Sequence, residues 1–178
     1  MRYLILIFLI GSSWSSFGQK YRTEQGMVSF FSETPIESIK AQNKSITSLF
    51  NAATGDIVFS VPVNEFQFEK SLMQEHFNEK YLETDKYPKA TFQGKVQTFD
   101  ATAKGAQSVK AVGKLTIHGV TQDVTIPGTL EATDSKTLVL KSSFQVKLVD
   151  YKIDIPKLLW QKIAEQVDVK LEMTYQLL

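Results

Sequence analysis

Between residues 109 and 148 the chain alternates apolar and polar side chains, and the phase of that alternation shifts once. Val109, Ala111, Gly113, Leu115 and Ile117 are apolar or small at odd positions, with Lys110 and Lys114 between them. After His118-Gly119 the even positions take over: Val120, Val124, Ile126, Gly128, Leu130 and Ala132. A period of two marks a strand with one dry face. Across a two-residue loop an odd residue faces an even one, so the flip predicts a hairpin at His118-Gly119. Ile117 then meets Val120 and Gly113 meets Val124. Glycine accepts positive φ without penalty, and histidine is among the residues enriched there. Leu138, Leu140, Phe144, Val146 and Leu148 keep the even phase, which requires a loop with an odd number of residues. Asp134-Ser135-Lys136 has the turn chemistry for it. That register sets Leu130 beside Leu140 and Ile126 beside Phe144.

A last strand over 167–177 alternates Val167, Val169, Leu171, Met173, Tyr175 and Leu177 against polar neighbours. Less regular strands are predicted at 27–33, 39–46, 57–63 (running on to 68) and 90–99. Two segments leave the pattern. Residues 71–84 place Leu72, Met73, His76, Phe77 and Leu82 at helical spacing, and residues 156–164 do the same with Leu159, Trp160 and Ile163. About eight strands with one apolar face each must bury those faces together, in a sandwich or a closed barrel. Consecutive hairpins and a long last strand free to pair with the first favour an all-β fold: one antiparallel eight-stranded barrel with one or two short capping helices.

The inward face mixes large side chains with Ala111, Gly113, Gly128, Ala132 and Ser142. The small residues either keep a channel open for a flexible apolar chain or mark bends where a curved sheet closes. On the first reading the ligand-binding residues are Ala111, Gly113, Leu115, Val124, Ile126, Phe144, Val146, Leu171 and Met173, with Phe59 and Phe92. Phe66, Phe68, Phe77, Tyr81 and Tyr87 cluster around the helical segment. They form either a lid over such a channel or a plug that caps one end of the barrel.

Composition narrows the function. The chain has 178 residues, 43% hydrophobic and 22% charged, with 20 Lys+Arg against 19 Asp+Glu and a net charge of +1. No block of positive charge offers a footprint for nucleic acid. Arg2, the apolar run 3–10 and the small-residue site Ser16-Phe17-Gly18 read as a signal peptide over 1–18, with the mature domain at 19–178. That run is too short for a membrane-spanning helix. Export to the periplasm, or secretion, follows. There is no cysteine, so neither a disulfide nor a thiolate site is available and a large core must hold the domain.

Candidate chemistry is sparse. His76 lies near Glu75 and Glu79, but no zinc-type spacing accompanies it; a helix-face residue at His76 and a turn residue at His118 are the plainer readings. Asp150 and Asp154 resemble a carboxylate pair for acid–base work, yet they sit where a strand ends and suit turn duties. No nucleophile elbow, phosphate loop or dinucleotide fingerprint is present. The expectation is a non-enzymatic protein without cofactor or metal.

Two stretches resemble a known family. Asp85, Lys86, Tyr87, Pro88, Ala90, Thr91 and Phe92 follow the helical segment as a Tyr-Pro strand start. Gly113, Leu115, Thr116, Ile117, His118, Gly119, Val120 and Thr121 form a Gly-x-Leu-Thr-x-x-Gly-Val-Thr hairpin. Both are similar to the YceI-like family of exported, lipocalin-like β-barrels whose pore is associated with a long isoprenoid lipid. The chain departs from the family in lacking an early Asp-x-x-His-Ser stretch and in only echoing a late Arg-x-Asp-Phe-Gly, at Lys147, Asp150, Tyr151 and Lys152. The resemblance implies a polyisoprenoid or isoprenoid quinone as ligand. The alternative from another class is a filled barrel acting through its surface as an exported structural or stress-related interaction protein.

Overall fold

A computed structural model describes residues 19–33, 38–155 and 164–178. The predicted signal peptide, and the predicted helix at 156–164 apart from its last residue, fall outside them. The strands are β1 (Lys20–Glu33), β2 (Ser38–Asn43), β3 (Thr47–Asn51), β4 (Asp56–Pro62), β5 (Gln67–Phe68), β6 (Lys89–Gln97), β7 (Gly105–Ile117), β8 (Val120–Ala132), β9 (Thr137–Lys147) and β10 (Gln166–Leu177). Helix α1 (Ser71–His76) runs into a π-helical turn over Phe77–Tyr81, and a 3-10 turn spans Leu148–Tyr151. The sheet order β10-β9-β8-β7-β6-β4-β3-β1 closes on itself through β10–β1, so eight antiparallel strands form a barrel. β2 and β5 continue from β1 outside that ring.

The β7–β8 register is the one the alternation predicts: Ile117 pairs with Val120 and Gly113 with Val124. His118 and Gly119 both take positive φ, 51° and 72°, which is the two-residue turn whose twist matches its strands. Leu130 also pairs with Leu140. The expected Ile126–Phe144 pair does not form, because the β8–β9 ladder stops at Gly128–Ser142. Proline explains the stop. The Thr133 N–H donates to the Thr137 carbonyl at 3.1 Å, so odd residues of β8 and β9 turn their backbone groups toward each other. Pro127 is odd and has no N–H to give. Its carbonyl instead accepts the Ser142 hydroxyl at 2.6 Å.

The amino-terminal third departs from expectation. The predicted strand at 39–46 is two strands, and β2 lies outside the ring while β3 lies within it. Buried Asn43 makes the break: its amide donates to the Pro62 carbonyl at 2.6 Å, and its side-chain oxygen accepts the Ser45 N–H at 2.7 Å. This is the local side-chain competition that ends strands. β1 starts earlier than expected and serves two neighbours, β3 through Lys20–Arg22 and β2 through Val28–Glu33. Opposite β10 its register shifts between Thr23 and Gln25, the sign of a bulge.

Along the barrel axis the interior changes character. One end is solid: Tyr21, Phe50, Leu130, Leu138, Met173 and Tyr175 are buried there, with the Phe50 ring packed on Tyr21, Phe99 and Tyr175 at 6.5, 5.7 and 6.3 Å. The Tyr175 hydroxyl meets the Ser48 hydroxyl at 2.7 Å inside this plug. At the other end α1 and its π turn close over the barrel. An α-helical repeat would carry the inner face from His76 and Phe77 to Lys80 and Tyr81. The wider π turn delays it by a residue, so Tyr81 and Leu82 face inward and Lys80 stays exposed.

Candidate ligand cavity

Between plug and cap the barrel is hollow. The cavity holds about 570 Å³, within the ~300–1,000 Å³ of ordinary ligand sites. Its wall is almost entirely aliphatic and aromatic. Polar side chains reach it at few places: Ser32, Lys70, His76, Thr91 and Ser142.

Eight of the side chains singled out in the sequence lie on this wall. Phe59 and Phe92 come from β4 and β6, where they face each other with ring centroids 5.8 Å apart. Ala111 and Leu115 come from β7, Ile126 from β8, Phe144 and Val146 from β9 and Leu171 from β10. Three do not reach it. Met173 is part of the plug, 2% exposed, with its sulfur 3.7 Å from the Tyr175 hydroxyl. Val124 packs against the core below the hairpin tip without lining the void. Gly113 marks a point where two backbones touch: a β-carbon there would stand 2.3 Å from the Gln93 carbonyl oxygen and 2.5 Å from Gly94 Cα. Gly94 is its cross-strand partner, and the Phe92 ring folds over it, 2.7 Å from where a Gly94 Cβ would sit. Backbones approach closely at Gly113 and also at Gly128, where a β-carbon would stand 2.8 Å from the Lys141 carbonyl oxygen, while Ala111, Gly128 and Ser142 border the open space.

The aromatic zone is both cap and wall. Phe66, Phe68, Phe77 and Tyr81 line the cavity from above. Phe77 packs against Phe68 at 5.0 Å and stacks on Phe30 at 5.6 Å with 21° between the planes. Phe30 has no place in the sequence reading, although it touches Phe66, Phe68 and Phe77. Tyr87 does something else: its ring lies edge-on to His118 at 4.6 Å and covers Gly119.

His118 is therefore more than a turn residue. Its Nε2 faces the Glu83 carboxylate at 3.1 Å and its Nδ1 the Tyr151 carbonyl at 3.3 Å. A neutral ring has one N–H and satisfies one of these acceptors, whereas a protonated ring satisfies both. Glu83 is also bound by Lys86. Hydrogen bonds from Lys86 and then His118 hold its carboxyl below the usual range. The hairpin tip, the segment after the cap and the 3-10 turn are thus tied at one point. His76 lines the cavity from α1. Asp150 and Asp154 are exposed, and Asp150 contributes its carbonyl to Gln122 at 2.7 Å. Among the described residues no three His, Asp or Glu side chains are grouped as metal ligands, and no helix is long and apolar enough to cross a membrane.

A family model described as YceI-like domain matches residues 20–175. No curated protein sequence matches the chain significantly. Among solved structures, a polyisoprenoid binding domain from Saccharophagus degradans, implicated in plant cell wall breakdown, superposes with a TM-score of 0.77 at 15% identity, covering 89% of this chain and 98% of that one. Burkholderia cenocepacia BcnA gives 0.71 at 20% identity, over 84% and 95%. A Campylobacter jejuni YceI protein gives 0.64 at 18% identity, over 80% and 86%. At such identities the likeness is one of fold.

Proposed function

The chain belongs to the YceI-like family, and from that premise we propose that it is an exported protein that holds an apolar chain lipid inside its barrel. The ligand class is a polyisoprenoid or the tail of an isoprenoid quinone. The observation that carries this reading is the void between plug and cap, about 570 Å³ with an almost unbroken apolar wall. Water gains little there, while each 100 Å² of buried chain contributes ~2.5 kcal/mol. The few polar side chains suit a ligand with little polar surface. The polyisoprenoid binding domain of Saccharophagus degradans, which shares the fold, supports the same ligand class.

Mass spectrometry of organic extracts from protein purified out of its native compartment tests the proposal. A co-purified isoprenoid lipid is expected in stoichiometric amount. Protein recovered from that membrane environment with no lipid at all refutes it. Intact mass of the same sample tests export, with a chain beginning at Gln19 expected.

A further inference from the structure

We propose that the seam between residues 121–127 of β8 and residues 143–149, the end of β9 and the turn after it, is a lateral doorway to the cavity. The proposal rests on the chain-lipid reading above and adds the route by which the chain gets in.

Three observations point to the seam. First, the closed ring lacks its ladder there, as it also does beside residues 23–27 of β1. Pairing between β8 and β9 ends at Gly128–Ser142, whereas β8 stays paired with β7 along its whole length and β9 with β10 along its own. The parity fixed by the Thr133–Thr137 hydrogen bond aims the backbone groups of Asp123 and Thr125 at those of Ser143, Gln145 and Lys147. All five residues are exposed, and Pro127, at the head of the seam, has no N–H with which to start the zip.

Second, the cavity reaches the seam from inside. Ile126 and Gly128 on one bank and Phe144 and Val146 on the other belong to its wall. Pro127 also lines it, although its odd position puts it on the outer face and it is exposed. An outward residue borders an inner void where the wall is thin, as exposed Thr91 also does on β6. A shallow depression on the outside shares Pro127, Gly128, Ser142 and Leu171 with the cavity, so a single layer of residues separates outer and inner space there.

Third, the banks are held by a few side chains. Ser142 donates to the Pro127 carbonyl at 2.6 Å at one end. At the other, Gln122 donates to the Asp150 carbonyl at 2.7 Å, and the His118 ring lies 3.3 Å from the Tyr151 carbonyl. Single side-chain bonds open one at a time, unlike a cooperative ladder. One end of the barrel is solid, and at the other the rings of Phe30, Phe66, Phe68 and Phe77 pack against one another over the cavity.

The test uses parinaric acid, a polyene fatty acid that fluoresces in apolar surroundings, in stopped-flow binding and displacement. Pro127→Val restores the missing N–H on the β9 side. Association and dissociation are expected to slow together by about tenfold, the scale of one added hydrogen-bonded pair on the opening step, so that their ratio moves far less. Ser142→Ala removes a pin and is expected to speed both. Amide hydrogen exchange reads the seam itself: in the unmodified protein the Ser143 and Gln145 amides exchange fast beside a protected Lys141, and Pro127→Val protects Ser143. Rates that do not change in a Pro127→Val protein whose Ser143 amide has become protected overturn the doorway and assign passage to the aromatic cap. Ser143 and Gln145 amides as slow as that of Lys141 in the unmodified protein overturn it as well, without any variant. Failure of the unmodified protein to bind the probe is a different result, since it removes the chain-lipid reading together with the doorway.

Discussion

At the tip of the β7–β8 hairpin, Gly119, Tyr87 and His118 divide the labour of holding the cap end together. Gly119 supplies a φ of 72° that a branched residue resists, and the Tyr87 ring lies where its β-carbon would go, 2.5 Å away. His118 bridges to Glu83 and Tyr151. Gly119→Val therefore meets two separate penalties, backbone strain and a displaced ring, and is expected to cost about 2–3 kcal/mol in urea unfolding. In a Tyr87→Ala background the ring penalty is gone and the cost should fall to the strain alone, about 1 kcal/mol. A cost that stays the same in both backgrounds contradicts this division. Tyr175 makes a pH-dependent case at the opposite end. Burial pushes its hydroxyl far above the ordinary tyrosine range, opposed by the hydrogen bond with Ser48. An unfolded tyrosine ionises near pH 10, so the folded form is fully favoured below that pH. Stability then falls as pH climbs past it, by ~1.4 kcal/mol per pH unit from this group. Tyr175→Phe should lower stability at neutral pH by about 1–3 kcal/mol, because the Ser48 hydroxyl loses its partner, and should flatten the alkaline fall. Tyr21, Tyr81 and Tyr151 are also raised, mainly by burial, and leave a residual slope. Denaturation curves between neutral pH and about pH 11 separate the two proteins.

Between elements, β6 and β7 approach closely at the Gly94–Gly113 pair. Adding a methyl at Gly113 drives it into the Gln93 carbonyl, a backbone atom that cannot swing aside. Gly113→Ala is expected to destabilise by about 1–3 kcal/mol with the cavity volume unchanged, which thermal unfolding checks. Such a position shows what alternation reveals and what it hides. Parity tells which face a residue is on, so β7, β8 and the Leu130–Leu140 register were legible from period two alone. It says nothing of depth along the barrel axis, which is why Met173, Val124 and Gly113 share the inward face but not the cavity. Nor does it announce a ladder that ends inside an unbroken pattern: Ile126 and Phe144 alternate in phase, and only the side of β8 on which Pro127 lacks its N–H separates them. The amino-terminal third was the least readable. Asn43 turns the chain inside an apolar-polar run that reads as one strand, and Phe30 lies on a strand that starts earlier and serves two neighbours.

At the scale of the whole molecule, the filled end and the hollow end do different work. The plug of Tyr21, Phe50, Leu130, Leu138, Met173 and Tyr175 supplies the dry core that a chain without cysteine needs. The hollow half forgoes such packing, and its wall is therefore where volume can be added without forcing backbones apart. Ala111 sits on that wall, on the same strand and face as Gly113, yet it borders the void. Ala111→Phe projects a ring into open space rather than into a neighbour. Lipid uptake is expected to be lost, with thermal stability held or raised as apolar surface is buried, by up to about 1.5–3 kcal/mol for a phenyl group. Gly113→Ala should show the opposite signature, with lower stability and uptake retained at temperatures where it is folded. Measured on paired samples by thermal unfolding and by mass spectrometry of extracted lipid, the two variants separate a cavity that works from a wall that merely bends. Ala111→Phe protein that still carries its full complement of lipid would place the ligand elsewhere than in the barrel.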